Sequence, residues 1–112
     1  MNNAELFGNS ISEMVEKSID TLIKKGKSYS SDEDRLHNFR VAAALQGISE
    51  KEALAGMLAK HLVSVFDMVK TDETRPRPYS STVWDEKIGD AINYLLILRA
   101  MVDIEREERT NK

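Results

Sequence analysis

The chain has 112 residues, the size of one domain, and folding is expected to bury roughly two-thirds of the surface of the extended chain. Its 16 Lys and Arg against 19 Asp and Glu give a net charge of −3, which argues against charge-driven binding to nucleic-acid phosphates, so no direct DNA binding is expected. Cysteine is absent, which excludes disulfides, thiolate metal sites and a cysteine nucleophile. With neither an apolar run of about 18 residues nor a signal-peptide pattern, we expect a cytoplasmic protein without membrane association.

Glycine and proline are both scarce, with five glycines and two prolines in the chain. This favours helices over a sheet with many turns. Apolar residues recur at helical spacing in four segments, and no internal repeat separates them. The sequence therefore predicts a single all-α domain over residues 1–112, built from four principal helices in an antiparallel bundle.

The first helix is predicted over residues 10–25. Apolar side chains recur there at helical spacing on one face, and charged side chains lie on the other face. Ser10 and Glu13 have the spacing of a capping box at its start. Gly26 follows two lysines and is expected to stop the helix. A polar, serine-rich loop is predicted at about 27–33.

The second helix is predicted to begin near Asp32 or Asp34 and to end at Gly47. Its apolar positions include Phe39, which we assign to the core. One interpretation is that one of these aspartates caps the helix. The alternative is that they supply polar groups to a binding pocket.

The third helix opens at a second capping-box pair, Ser49 and Glu52, and is predicted to run to about residue 70. Its apolar face covers more than half of the helix circumference. Such a helix is either central in a bundle or also buried by another subunit.

The fourth helix follows an irregular stretch at 71–81 that contains both prolines. It is predicted to begin near Thr82 and to continue to about Arg109. From 94 to 102 it is apolar nearly all round, whereas about 105–112 is expected to be a charged, flexible tail. We expect a homo-oligomer, dimer or tetramer, through the third and fourth helices.

The strongest candidate site lies on the fourth helix, where Glu86, Asp90 and Tyr94 fall on one stripe with Asn93 beside them. Two carboxylates one turn apart are a natural oxygen site for Mg²⁺, which keeps several waters and also takes phosphate oxygens. The alternative is that both acids are ordinary polar residues in the first half of a helix, where the dipole favours them.

The third helix contributes Lys60 and His61 among apolar neighbours. Lys60 could bind a phosphate, or it could pair with Asp90 or Glu86 across a helix interface. His61 is either a ligand or acid–base group, or a hydrogen-bonded structural residue.

A nucleoside contact is suggested near the second helix, where Tyr29 could lie flat against a base and Asn38 could recognise its edge. The chain has no glycine-rich phosphate loop and no serine-hydrolase or zinc-protease motif. Nucleophilic catalysis therefore has no candidate residue, and any chemistry would be metal-assisted attack by water.

The order of short motifs resembles a group of small, often phage-borne helical proteins, the nucleotide-modification-associated domain of the first type. The resemblance covers about residues 22–102 and extends distantly to the MazG-like and dUTPase-like all-α nucleoside-triphosphate pyrophosphatases. The motifs that carry it are KGKSY, HNF, LQGIS, MLAKHL and WDEKIGDAINYLLI.

The resemblance implies a nucleotide-handling protein, with Lys60 and Asp90 in catalysis and Mg²⁺ held by Glu86 and Asp90. The residues that match the group's pattern are Tyr29, Asn38, Phe39, Lys60, Glu86, Asp90 and Tyr94. Of these, nucleotide contacts are implied for Tyr29, Asn38, Lys60 and Tyr94. Glu86 stands where the group usually has aspartate.

Two functions follow as hypotheses. The first is a Mg²⁺-dependent nucleoside triphosphate pyrophosphohydrolase of phage or prophage origin. The second is a non-catalytic nucleotide-binding or assembly module on the same helical fold, because the wider superfamily holds its metal with paired acids on two helices. Here the third helix has Lys60 and His61 in its middle instead.

Overall fold

The computed structural model describes residues 1–29 and 36–110, and for residues 25–29 it describes the backbone alone. Helices dominate this part of the chain and no strand occurs in it, so the prediction of an all-α fold with four helices is confirmed. α4 includes most of the tail predicted at 105–112. The helices are α1 (Asn3–Tyr29), α2 (His37–Gln46), α3 (Glu50–Thr74) and α4 (Ser81–Thr110).

α1 begins seven residues earlier than the sequence pattern predicts. The Asn2 side-chain oxygen accepts a hydrogen bond from the Glu5 backbone N–H at 2.8 Å, and the Glu5 carboxylate accepts one from the Asn2 amide at 3.3 Å. This pair caps the helix, because it satisfies a backbone N–H that the first turn leaves without a partner. The capping box predicted at Ser10 and Glu13 is wrong, since both residues lie inside α1.

α1 also ends later than predicted. Its backbone continues through Gly26 to Tyr29, so the stop predicted at Gly26 is wrong. One glycine in a helix interior costs about 1 kcal/mol relative to alanine, which is too little to end a long helix by itself. The predicted start of the second helix near Asp32 or Asp34 lies outside the described residues.

A tight turn joins α2 to α3, and here the sequence signals are confirmed. Gly47 ends α2 with a left-handed backbone (φ 67°), and its N–H bonds back to the last turn. The Ser49 hydroxyl accepts from the Glu52 N–H at 3.1 Å, while the Glu52 carboxylate accepts from the Ser49 N–H at 3.2 Å. The short connection makes α2 and α3 neighbours, and the two helices pack together.

The connection between α3 and α4 is shorter than predicted, because α3 continues to Thr74. Arg75 then adopts an extended backbone (φ −130°, ψ 139°). It precedes Pro76, whose ring disfavours helical geometry in the residue before it. Ser80 caps α4 by accepting the Val83 N–H at 3.3 Å.

α4 is the central helix of the arrangement, since it packs against α1 along one side and against α3 along another, while α2 packs on α3. Cross-helix pairs give the direction of α3 relative to α4. Lys51, near the start of α3, pairs with Glu105 near the end of α4. His61 lies further along α3 and pairs with Asp90, which lies earlier in α4, so the two helices are antiparallel.

The core lies where α2, α3 and α4 meet. Leu36, Leu54 and Met101 are buried at its centre, and Leu54 is completely inaccessible. Partly buried side chains surround them, namely Phe39, Tyr94, Ile97, Leu98 and Ile104. The assignment of Phe39 to the core is confirmed. Within the described residues, no helix is long and apolar enough to span a bilayer.

Candidate functional site

A groove of about 450 Å³ runs between α1 and the first half of α4. Polar and acidic side chains from both helices line it, in contrast to the apolar core at the other end of α4. The lining residues are Met14, Lys17, Ser18, Asp20, Thr21, Thr82, Asp85, Glu86, Gly89, Asp90 and Asn93. Two of the residues predicted to hold a metal, Glu86 and Asp90, are among them.

The floor of the groove contains two buried polar groups without a hydrogen-bond partner. Ser18 is 2% exposed and Asn93 is 8% exposed, and neither the Ser18 hydroxyl nor the Asn93 side-chain oxygen is hydrogen bonded. Leaving such a group unpaired costs about 1–3 kcal/mol. Native proteins seldom carry this cost unless a water, an ion or a ligand supplies the missing partner.

Gly89 lies on α4 where it faces α1. A Cβ atom at position 89 would lie 3.1 Å from the Met14 terminal methyl and 3.7 Å from the Ser18 hydroxyl. The distance to Ser18 is an ordinary van der Waals contact, so the missing side chain makes room chiefly for the flexible end of Met14.

Two of the four carboxylates in the groove already have lysine partners. Lys17 donates to Asp85 across the helix interface at 2.8 Å, and Lys24 donates to Asp20 along α1 at 2.9 Å. The hydrogen bond and the charge of Asp85 raise the pKa of Lys17 above its ordinary value of 10.5. Among the described residues, Lys17 is the single cationic side chain that lines the groove.

The other two carboxylates, Glu86 and Asp90, have no lysine or arginine partner among the described side chains of residues 1–24 and 36–110. Glu86 is exposed at the rim. Asp90 is half-buried, and its Oδ2 lies 3.7 Å from the His61 Nδ1 of α3, an ion-pair distance too long for a hydrogen bond. The His61 ring is in turn 4.9 Å from the Tyr94 ring. Asp90 therefore lies between the groove and the α3 interface.

The predicted stripe Glu86–Asp90–Tyr94 is divided by the packing. Each step of four residues turns 40° round a helix, so the three side chains point progressively away from α1. Glu86 lines the groove, Asp90 is shared with α3, and Tyr94 packs at the edge of the core, with its ring 6.3 Å from Phe39.

Of the remaining predicted site residues, those with described side chains do not line the groove. Lys60 and Asn38 are both exposed, on α3 and α2 respectively. The backbone of Tyr29 forms the last residue of α1, and its side chain lies outside the description. The structure thus brings Glu86 and Asp90 together, and it does not add Lys60 or Asn38 to their groove.

Ser18 is the residue that sequence reasoning missed. It falls on the apolar face predicted for the first helix, between Val15 and Ile19 on one side and Leu22 on the other. A single hydroxyl on an otherwise apolar stripe is the only signal in the sequence, and it is also typical of an ordinary small core residue.

Comparison of the chain with known protein families, with curated proteins and with solved structures finds no match. No family membership is shown. The site must therefore be judged by its own chemistry.

Within the described part of the chain, no group of three or more acidic or histidine side chains could hold a metal ion. Mg²⁺ can be bound by one or two carboxylates and retains several waters, whose hydrogens need acceptors. Were Mg²⁺ to bind in this groove, Glu86 and Asp90 would be the carboxylates available to hold it, and the oxygens of Ser18 and Asn93 line the same groove.

Proposed function

We propose that the chain is a nucleotide-handling protein that binds a nucleotide with Mg²⁺ in the groove between α1 and α4. The observation that carries the proposal is that two unpaired buried oxygens, on Ser18 and Asn93, line the same groove as two carboxylates that have no lysine or arginine partner among the described side chains. In this proposal Glu86 and Asp90 hold the metal ion. Ser18 and Asn93 accept hydrogen bonds from its waters or from the nucleotide.

The charge of the groove favours binding of a nucleotide together with a metal ion. Among the described residues, four carboxylates and one lysine line the groove, so their net charge would repel a triphosphate alone. A Mg²⁺ ion bound there would neutralise phosphate charge and lower the pKa of a water molecule. Lys17, which is hydrogen bonded to Asp85, contributes one positive charge on the α1 side of the groove.

In a stronger form of the proposal, the protein also hydrolyses the bound nucleotide. This form rests on the resemblance to the all-α pyrophosphatases. Water would attack at the α-phosphorus and the α–β phosphoanhydride bond would break, giving a nucleoside monophosphate and pyrophosphate. Asp90 is the residue of this chain best placed to orient that water, because it faces both the groove and His61. Lys60, Asn38, Tyr29 and Tyr94 enter this form through the resemblance alone.

The test combines binding with product analysis. Purified protein is incubated with each ribonucleoside and deoxyribonucleoside triphosphate, with Mg²⁺ or with EDTA. The melting temperature is measured, and products are separated by ion exchange. We expect at least one nucleotide to raise the melting temperature only when Mg²⁺ is present. Monophosphate and pyrophosphate together would establish the hydrolase, whereas binding with unchanged triphosphate would support the non-catalytic form.

Asp90→Asn is the informative variant, and Asp67→Asn is its matched control. Asp67 is an exposed acid on α3 that does not line the groove, so its loss changes the net charge by the same amount. We expect Asp90→Asn to abolish the Mg²⁺-dependent effect and Asp67→Asn to retain it. Binding that is equal in EDTA, or equal in the Asp90→Asn protein, would contradict the proposed site.

A second candidate function, a module for protein assembly, is favoured by a different observation. α3 and α4 carry large apolar side chains that are exposed in the monomer, including Val63, Phe66, Leu95 and Leu96. A ligand at 100 times its Kd adds about 2.7 kcal/mol to stability. If no nucleotide shifts the melting temperature, assembly becomes the better account of the molecule.

A further inference from the structure

The single chain exposes more surface than a compact protein of its mass. Its accessible surface is 8415 Å². A folded monomer of 12.7 kDa is expected to expose about 6,200 Å². Its radius of gyration is 16.8 Å, against about 13 Å for a compact domain of this length. The excess area is more than twice the roughly 800 Å² that each partner buries in a stable interface.

The first half of α1 accounts for part of this excess. Every residue from 1 to 13 is exposed, and the contact with α4 begins only at Met14. This half contains Gly8, Asn9 and Ser10, all weaker helix formers than alanine. Packing against a partner would stabilise this half, because most helical stability in proteins comes from burying an apolar face.

Five exposed apolar side chains of α1 form a ridge that turns about 40° round the helix at each step. They recur at intervals of four residues and are at least 46% exposed, whereas Leu6, 59% exposed, falls outside this spacing. The ridge consists of Phe7, Ile11, Val15, Ile19 and Ile23. It is symmetric about Val15, because every member has a counterpart at the same distance on the other side. A ridge of this kind is suited to pairing with an identical copy of itself about a two-fold axis.

The charges on α1 favour an antiparallel arrangement of two such helices. Residues 1–13 carry two acids and no lysine or arginine, whereas residues 14–29 carry four lysines and two acids. In an antiparallel pair, the acidic half of each helix lies beside the lysine-rich half of the other. A parallel pair would place like-charged halves together.

We propose that the partner of the α1 ridge is a second copy of this chain, and that the two α1 helices cross antiparallel with Val15 on the two-fold axis. Ile11 of one copy then lies against Ile19 of the other. Phe7 and Ile23 are each turned about 80° round the helix from Val15 and therefore lie at the edges of this contact. This interface differs from the one expected from the third and fourth helices, whose exposed apolar faces it leaves available for further association.

The chain has no cysteine, so single cysteines introduced on α1 report the pairing directly. A disulfide needs Cα atoms about 4.4–6.8 Å apart, which only facing positions provide. Val15→Cys is expected to form a disulfide-linked dimer on mild oxidation. Leu45→Cys, on an α2 residue that is 83% exposed and away from the ridge, is the control and is expected to remain largely uncrosslinked.

Ile11→Cys and Ile19→Cys test the direction of the helices. Mixed together, the two proteins are expected to form a disulfide between each other, while each alone forms little. Efficient crosslinking of Ile11→Cys with itself would indicate a parallel pair and overturn the proposed register.

The mass in solution completes the test. Wild-type protein is expected to show twice the 12.7 kDa chain mass or a multiple of that dimer in light scattering. Val15→Glu is expected to lose the α1 contact, with circular dichroism reporting whether helicity is retained. A wild-type monomer at micromolar concentration, or Val15→Cys that crosslinks no faster than Leu45→Cys, would overturn the proposal.

Discussion

The two ends of α4 are built differently. At the C-terminal end, α2 and α3 enclose Leu54 and Met101 in a core without unpaired polar side chains among those described. At the N-terminal end, α1 covers α4 along one side only. The interface there contains a groove, two unpaired buried oxygens and a glycine that faces α1.

This difference separates what stabilises the fold from what is available for binding. The closed end buries apolar surface, and its charges are paired at the periphery, as in the contact of Arg40 with Glu50 and Glu108. The open end holds two buried polar side chains, Ser18 and Asn93, whose oxygens have no partner among the described protein groups and therefore need one from water or a ligand.

The largest expected effect distinguishes the closed end from the exposed surface. Leu54→Ala should lower the free energy of unfolding by about 2–5 kcal/mol, because a completely buried side chain leaves a cavity. Leu45→Ala, the same substitution at an 83% exposed position, should change it by about 0.5 kcal/mol or less. Urea unfolding of both variants checks this, and equal losses would show that the core is not where the structure places it.

The second prediction compares the substitution of serine by alanine at two positions. The two variants are expected to change the free energy of unfolding in opposite directions. Ser49→Ala removes the N-cap of α3 and should destabilise the protein by about 1 kcal/mol. Ser18→Ala removes a buried hydroxyl without a partner and should stabilise the nucleotide-free protein by about 1 kcal/mol.

Thermal unfolding without and with Mg²⁺–nucleotide measures the Ser18 effect separately from ligand binding. Under the proposed function, Ser18→Ala gains stability alone and loses part of the ligand-induced shift. If Ser18→Ala instead destabilises the protein and binds the nucleotide as the wild type does, the Ser18 hydroxyl has a structural hydrogen-bond partner. The proposal that the groove binds a nucleotide then loses its principal support.

The helices were predictable wherever a local signal was unambiguous. The left-handed Gly47 and the reciprocal bonds of Ser49 and Glu52 require only neighbours in sequence, and the predicted positions are confirmed. The start of α1 was not predictable in the same way. Asn2 with Glu5 and Ser10 with Glu13 share the same spacing, and only the folded chain shows which pair is used.

The candidate site was predictable only in part. The spacing of Glu86 and Asp90 placed both on one side of α4, and they do line one groove. Which helix faces them depends on tertiary packing, and α1 lies opposite rather than the lysine-bearing face of α3. Ser18 could not have been selected in advance, because its significance arises from burial beside Gly89 and Asn93.

The smallest expected effect concerns the ion pairs that join α4 to its two neighbours. At the closed end, Lys51 donates to Glu105 at 2.8 Å, and this bond holds the pKa of Glu105 below its ordinary value of 4.5. At the open end, the bond from Lys17 to Asp85 raises the pKa of Lys17 above 10.5. Both pairs are largely exposed, so each contribution is small.

The two pKa shifts have opposite consequences for stability. Because the pKa of Glu105 is lower in the folded protein, its contribution is present above pH 4.5 and is lost as the pH falls through the folded pKa. Because the pKa of Lys17 is higher in the folded protein, its contribution is present below pH 10.5 and is lost as the pH rises through the folded pKa. Lys51→Met should therefore flatten the acid side of the stability profile, and Lys17→Met the alkaline side. Urea unfolding at a series of pH values distinguishes them, and an unchanged acid slope in Lys51→Met would show that this pair does not stabilise the α3–α4 contact.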